Sequence, residues 1–574
     1  MTLMRDKEKK TEEAALAPAE SAAVERGFPL FVCRLLYTAR VQTFLACLVL
    51  ASLALWLNLY RIGEPGLWFD EILSVTRAWQ PLPVLFKIIS TTQPNMALYY
   101  VILHFWLSVT GHAGIPASEA VVRFPSAIFS ALSSLALYAL ARRFFRAWIA
   151  FLATLLYVLN TLQLTYAQET RAYALQLLLV ICSWYALCVL LSGDLARSRA
   201  RAWWLAFVLA SALAIYAQLF SGLVLAAQVG ALVLLCFVPT AWRERARRQL
   251  RPLLVGCVWI GVLTAPLLYA SRVGSKTGWL PIPVPADLAH LLLIVSSQNR
   301  LFLLLAAPAS VLGLCVSLLA ALPQGRQSLR RLNLLPCAEM QEKEWVQRYA
   351  QWLPLAFLLF CWLLGPVGIS YLVSQKAIHL FSARYLVVIV PAFVLLIAPG
   401  LSTLRRRAVQ IVYGLCLLLP CLYSVPGYYA GAQVEDWRTG TQWLQQHYRP
   451  GDGLICYNNS QGCAVAIEYY LHAHPRGTAH FDADSPGYFP WLSYDTTNQP
   501  GDAARALDVN AIQAYAARHA RLFFGIGRVS TDDPQVQSII RWLNANYHLL
   551  ARKVTATLTL SLYATGNPMP PDLA

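Results

Sequence analysis

Met96-Ala97-Leu98-Tyr99-Tyr100-Val101-Ile102-Leu103-His104-Phe105-Trp106-Leu107-Ser108-Val109-Thr110 is the stretch on which the topology of this chain turns. It is apolar but only about 15 residues long, short of the roughly 17–25 residues that cross a hydrocarbon core as a helix. On both sides of it the chain is richer still in apolar residues. Of its 574 residues 57% are hydrophobic and only 13% charged, against about a quarter charged in a soluble domain. About eleven spans are expected, near 42–60, 121–141, 148–165, 172–192, 203–219, 222–240, 253–271, 301–322, 352–374, 385–403 and 408–426.

Charge parity decides the short stretch. If 96–110 does not cross, the basic clusters Arg142-Arg143-Arg146, Arg197-Arg199-Arg201, Arg243 to Arg251, Arg326-Arg330-Arg331 and Arg405-Arg406-Arg407 all fall on the side of the N-terminus. If it crosses, all of them land outside, against the positive-inside rule. The stretch is therefore expected to be an in-plane or re-entrant helix. The same placement accounts for the net charge of +17: short basic clusters between spans are a topology signal, not a nucleic-acid face.

The expected architecture is a polytopic α-helical membrane protein with juxtamembrane helices and a small C-terminal extracytoplasmic α/β domain. Residues 1–40 are a polar cytoplasmic tail, too long and too charged for a cleaved signal peptide. Residues 41–430 form the membrane domain, with a first outer loop at 61–120, and 431–574 form the outer domain. In that domain a helix over 436–447, a strand over 454–457, a helix near 463–472, a strand over 522–526, a helix near 534–546 and a strand over 553–563 alternate, which suggests a partly parallel sheet. Residues 475–503 read as a loop. Most of the thirteen cysteines lie in apolar runs and behave as small hydrophobes. Cys456 and Cys463 lie outside the spans, a candidate pair in an oxidising compartment. No Cys/His spacing suits a metal.

The span interiors are read as free of ionisable residues, which disfavours a lipid-linked-substrate flippase or transporter, since such proteins mark their pathway with charges at mid-membrane depth. The ionisable residues gather instead on the outer loops. In Gly66-Leu67-Trp68-Phe69-Asp70-Glu71 an acidic pair follows the first span. Its bland role is that Asp70 caps a helix whose face is Ile72, Val75 and Trp79. Tyr166-Ala167-Gln168-Glu169-Thr170-Arg171-Ala172-Tyr173 forms an outward turn, and Lys376 to Tyr385 carries His379, Arg384 and Tyr385 at the lip of a span. Interfacial aromatic belts and snorkelling cations are the ordinary account of both. Taken together, carboxylates able to accept a hydroxyl proton and guanidiniums able to grip a phosphate suit a lipid-linked phosphate substrate.

These pieces, with Arg123-Phe124-Pro125-Ser126-Ala127 opening the second span and Glu435-Asp436-Trp437-Arg438 opening the outer domain, occur in an order that resembles the GT-C glycosyltransferases. Within them the resemblance is to the branch of protein O-mannosyltransferases, aminoarabinose transferases and lipopolysaccharide-core galacturonosyltransferases, and it covers nearly the whole chain. It implies inverting transfer of a sugar from a polyprenyl-phosphate donor to a hydroxyl of a lipid, glycan or protein acceptor, on the outer face of a bacterial inner membrane, with no cofactor and no obligatory metal. Asp70 is implied as general base, Glu71 as shaping the same site and Glu169 as the second acid. Arg171 and Arg384, with Tyr173 and Tyr385 beside them, are implied as holding the donor phosphate. One departure stands out. Where relatives often carry a His or Lys and a Pro-Pro pair, this chain has Thr91-Thr92-Gln93-Pro94-Asn95; Lys87, Arg272 or Lys376 are the cations placed to compensate for the neutral Gln93. The departure also leaves open a catalytically inactive relative that serves as an assembly subunit.

Overall fold

In lipid every backbone N–H and C=O must find its partner within the chain, so long apolar stretches fold as helices. The computed structural model describes residues 39–193, 195–238, 240, 242–272, 277, 280–331, 339–376, 378–457, 462–473, 509–527 and 533–566. The membrane part opens with α1 (Ala39–Leu59), followed in the first loop by α2 (Phe69–Ala78), α3 (Leu82–Thr91) and α4 (Ala97–His112). Next come α5 (Glu119–Phe144), α6 (Ala147–Val158), α7 (Thr161–Ala167), α8 (Tyr173–Ser192), α9 (Arg197–Ala217), α10 (Ser221–Leu235) and α11 (Arg243–Ala270). After α12 (Pro285–Val295) the chain continues through α13 (Arg300–Ala321), α14 (Pro323–Arg331), α15 (Glu339–Ser374), α16 (Ala383–Leu386), α17 (Val390–Thr403) and α18 (Arg407–Ala430).

Among the described residues nine helices are long and apolar enough to cross a membrane. The bent pair α6 and α7, at 63°, makes a tenth if counted as one span, and α10 is a shorter apolar helix of 15 residues. The protein is therefore an integral multi-pass membrane protein. The bend falls at Asn160, whose carboxamide oxygen caps α7 by accepting from the Gln163 N–H while its Nδ2 donates to the Val295 carbonyl at 2.7 Å.

The basic ends of the bundle meet at one side. Arg143 Nε donates to Ser192 Oγ at 2.7 Å, and the rings of Phe144 and Phe145 contact Trp242 and Trp352. At the other end, α4 touches the bundle from both its halves. Asn95, just before it, accepts the Leu219 N–H at 3.1 Å, and Trp106, in its second half, donates its indole N–H to the Val121 carbonyl at 2.8 Å. Both contacts lie at one end of the bundle.

Two expectations are corrected. Arg123 sits inside α5 and is buried, so the spans are not free of charge. And Asp70 is not the cap of α2: Trp68 occupies that position and Asp70 belongs to the first turn. Elsewhere the packing is close where small residues allow it. A Cβ on Gly313 of α13 would come within 2.5 Å of the Gly400 nitrogen in α17, so these helices approach to backbone contact, as small residues permit in membranes.

The outer part contains α19 (Trp437–His447), β1 (Gly453–Tyr457), α20 (Gly462–Ala473), α21 (Val509–Ala516), β2 (Arg521–Gly527), α22 (Pro534–Asn546), β3 (His548–Val554) and β4 (Leu558–Ala564). The sheet order is β1-β2-β4-β3, with β1 parallel to β2 and the other pairs antiparallel. The single strand expected over 553–563 is two: a hairpin turns at Thr555, whose side chain accepts from the Thr557 and Leu558 N–H groups. The loop expected over 475–503, Trp491 within it, and the Cys463 side chain of the candidate cysteine pair lie outside the described residues.

Candidate functional site

The site is built where α2 leaves the first span. Glu71 lies in the first turn of α2 and is completely buried. Isolated burial of a carboxylate is costly, and here every lone pair is used. Arg123 donates from Nε to Oε1 at 2.8 Å and from Nη2 to Oε2 at 2.6 Å. The Thr170 N–H adds 2.7 Å to Oε1 and the Trp68 N–H 3.3 Å to Oε2. Arg123 spends its remaining donors on the carbonyls of Ile62, Pro65 and Gly66. This pair thus fastens the loop 62–68, the start of α2 and the turn at Thr170 to one another.

Its neighbour Asp70 points elsewhere. The Asp70 side chain is 24% exposed, and its Oδ2 lies 3.5 Å from Arg171 Nη2 and 3.4 Å from Arg384 Nη1. Arg171 is fixed from behind, donating to the Asp70 carbonyl at 3.2 Å and to Ser74 Oγ at 3.3 Å, and its guanidinium stands over the Tyr173 ring. Arg384 stands over the Trp68 ring at 5.8 Å. Tyr385 stacks on Phe220, and Tyr173 packs on Tyr166. Asp70, Arg171, Tyr173, Arg384 and Tyr385, drawn from three segments spread over more than 300 residues of sequence, form one cluster.

Beside it opens a cavity of about 560 Å³, lined among others by Trp68, Gln168, Glu169, Ser297, Asn299 and Tyr428. Trp68 lines this space, and Arg384 stands over its ring. The Glu169 side chain makes no hydrogen bond or ion pair among the described residues, and its Oε2 is buried. Burial pushes the Glu169 carboxyl up to about 8; the nearby charge of Glu71 adds to the rise, and Arg171, Arg384 and Arg123 oppose it. A carboxylic acid kept neutral near pH 7 can donate a hydrogen bond to a ligand in the cavity. Gln168, by contrast, is fully engaged, donating to the carbonyls of Leu57, Asn58 and Tyr60 and accepting from the Tyr428 hydroxyl.

Lys87 and Lys376 are exposed and Gln93 half-buried, and none makes a hydrogen bond or ion pair with Asp70, Arg171 or Arg384 among the described residues. Arg272 stands over the Tyr269 ring. Three residues quoted from the sequence without a site role prove central: Arg123, Trp68 and Glu435. The signal for Arg123 was present, because a guanidinium inside an apolar span demands a counter-charge.

The outer domain docks onto this loop through residues at its opening. Glu435 Oε2 accepts the Phe69 N–H at 2.8 Å and the Trp437 indole N–H at 2.6 Å. The Tyr470 hydroxyl accepts the Leu67 N–H at 2.7 Å and donates to Glu119. Arg438 pairs with Glu119 at 3.1 Å and donates to the carbonyls of Gly63 and Glu64. Trp437, Tyr469 and Tyr470 are buried in this seam, with Tyr469 stacked on Trp79; they act as core, not as a sugar platform.

With this architecture in view, comparison with solved structures is decisive for the fold. Over 90% of this chain and 97% of the other, ArnT from Cupriavidus metallidurans in its apo state superposes with a TM-score of 0.54 at 14% identity. The chain has the GT-C fold. The archaeal oligosaccharyltransferase AglB from Archaeoglobus fulgidus, in complex with an inhibitory peptide and a dolichol-phosphate, matches over 92% of this chain and 75% of its own, with a TM-score of 0.50 at 11% identity. A family model described as dolichyl-phosphate-mannose-protein mannosyltransferase matches residues 93–269. No curated protein matches the chain by sequence. The family match spans Arg123 and Glu169 and two of the five cluster residues, Arg171 and Tyr173.

Proposed function

We propose that this protein is a membrane glycosyltransferase that moves a sugar from a polyprenyl-phosphate donor to an acceptor hydroxyl, with inversion and without a metal, on the outer face of a bacterial inner membrane. The observation that carries it is the shared grip of Arg171 and Arg384 on Asp70 Oδ2, beside a cavity lined by Glu169, whose side chain has no partner among the described residues. The family description names a dolichyl-phosphate sugar, and the AglB structure contains a dolichol-phosphate.

In this mechanism the donor phosphate takes the two guanidiniums, which match a phosphate in charge and in fork geometry, and the Asp70 carboxylate is released toward the acceptor. Asp70 accepts the hydroxyl proton as the acceptor oxygen bonds to the anomeric carbon. The carbon–oxygen bond to phosphate breaks, and its electron pair stays on the lipid phosphate, whose developing charge the arginines stabilise. Glu169, in its neutral form, donates to the acceptor in the cavity. Glu71 shapes this site through Arg123. Residues 41–430 carry the chemistry and 431–574 cover and order the loop that bears Asp70.

The test is transfer of radiolabelled sugar from a panel of polyprenyl-phosphate sugars by purified protein and by Asp70→Asn. Turnover by the wild type with loss of at least about a hundredfold in the variant, in the range of a removed general base, is the expected result. Equal turnover by the variant refutes the base assignment, and no turnover with any donor favours the inactive assembly subunit.

A further inference from the structure

The end of the bundle away from Asp70 carries a second feature. A groove of about 830 Å³ runs between α9 and α11, lined by Arg197, Arg201, Arg248 and Arg251 and, further along, by an apolar wall. Its two sides repeat one pattern. Arg197, Arg201, Leu205 and Leu209 succeed one another every fourth residue on α9, and Arg251, Val255, Trp259 and Leu263 do so on α11. Residues four apart lie on one helix face, so each wall presents cations first and then exposed apolar side chains; Leu205, Val255 and Trp259 are each more than half exposed. Trp204 lines the groove, tied across to α11 by its indole N–H to Gln249 at 2.9 Å.

The four arginines have no carboxylate partner among the described residues, and nearby Glu244 is paired with Arg247. The positive-inside rule requires basic residues at this end, but not two columns that converge on one groove and turn apolar at the same depth. That arrangement copies the head and tails of a lipid. The groove is also remote from the sugar-transfer cluster. The far end of α9 is held to Asn95 and abuts Tyr385 through Phe220, and a 21-residue helix is roughly 30 Å long.

We propose that the groove is a binding site for an anionic phospholipid, its phosphates held by Arg197, Arg201, Arg248 and Arg251 and its acyl chains laid along Leu205, Leu209, Val255, Trp259 and Leu263. Basic pockets between membrane helices suit such head groups. The site is separate from the donor lipid-phosphate site and its test does not depend on activity.

The experiment is native mass spectrometry and thermal unfolding of the full-length protein in detergent, titrated with cardiolipin, phosphatidylcholine or undecaprenyl phosphate. Cardiolipin is expected to be retained and to raise the melting temperature where phosphatidylcholine does not. R201Q/R248Q/R251Q should weaken it by at least about tenfold, whereas R201K/R248K/R251K, which keeps the charge, and R405Q/R406Q/R407Q, outside the groove, should retain it. Equal loss in R405Q/R406Q/R407Q shows unlocalised charge attraction and overturns the site, as does equal retention of phosphatidylcholine. Displacement of cardiolipin by an equal concentration of undecaprenyl phosphate overturns the assignment to phospholipid.

Discussion

Glu71 and Arg123, 52 residues apart, form a buried fork with Nε–Oε1 at 2.8 Å and Nη2–Oε2 at 2.6 Å. The neighbouring Asp70 sits at 3.4–3.5 Å from two guanidiniums and is partly open to solvent. Adjacent carboxylates in one helical turn thus have different tasks. One is saturated with donors and holds the loop together; the other is held loosely enough to be exchanged for a ligand.

That division predicts a separation of stability from activity. Breaking a buried pair from one side costs about 3–5 kcal/mol, so Glu71→Gln and Arg123→Gln should lower the melting temperature together with transfer. Asp70→Asn removes a partly exposed contact worth roughly 1 kcal/mol or less, and should lose transfer while melting close to wild type. Paired melting and transfer measurements check it; a stable, active Glu71→Gln protein contradicts the fastening role.

For the arginines the expected effect is on the donor. Arg384→Lys and Arg171→Lys keep the charge but lose the fork. The loss of a charge-assisted hydrogen bond, about 1.5–3 kcal/mol, should appear as weaker donor binding by roughly ten- to a hundredfold with acceptor KM little changed. Titration with a non-transferable polyprenyl phosphate reads this directly.

How much of this was legible depends on distance along the chain. The span pattern and the expected in-plane placement of Met96–Thr110 follow from length and charge parity, and the segment folds as the helix Ala97–His112. The helix at 534–546 was readable from its periodicity and starts at Pro534, a residue suited to a first turn. The clustering of Asp70 with Arg171 and Arg384 was inferable only as a shared membrane face. Which arginine paired with Glu71 depended on a tertiary contact between Glu71 in the first loop and Arg123 inside a span. The hairpin at Thr555 was missed because Thr555-Ala556-Thr557 contains neither Gly nor Pro to mark a turn. Lys87, Gln93 and Lys376 make no hydrogen bond or ion pair with Asp70, Arg171 or Arg384 among the described residues.

Glu169 predicts a pH dependence. Its folded carboxyl is shifted from 4.5 up to about 8, so it is neutral below that and ionises as pH rises through it. If the neutral acid donates to the acceptor, transfer should fall above about pH 8, and Glu169→Gln, which keeps a donor, should flatten that limb. There is a second, activity-free readout. Between the unfolded and folded values the folded state binds more protons, so stability falls as pH rises through that window. Glu169→Gln should therefore gain melting temperature over wild type progressively from about pH 5 to pH 8. A pH-independent difference contradicts the shift.

The last prediction concerns the seam between the outer domain and the Asp70 loop. Glu435 accepts the Phe69 N–H, one residue from Asp70, and Tyr470 accepts the Leu67 N–H. Removing either acceptor leaves a backbone donor unmatched, at about 1–3 kcal/mol, in the loop whose geometry sets the Asp70–Arg384 separation. Tyr470→Phe and Glu435→Leu should lower kcat several-fold and speed hydrogen exchange at residues 66–71, with donor affinity retained because Arg171 and Arg384 belong to other elements. Loss of donor affinity with unchanged exchange at those residues would mean that the outer domain meets the donor itself and does not merely order the loop.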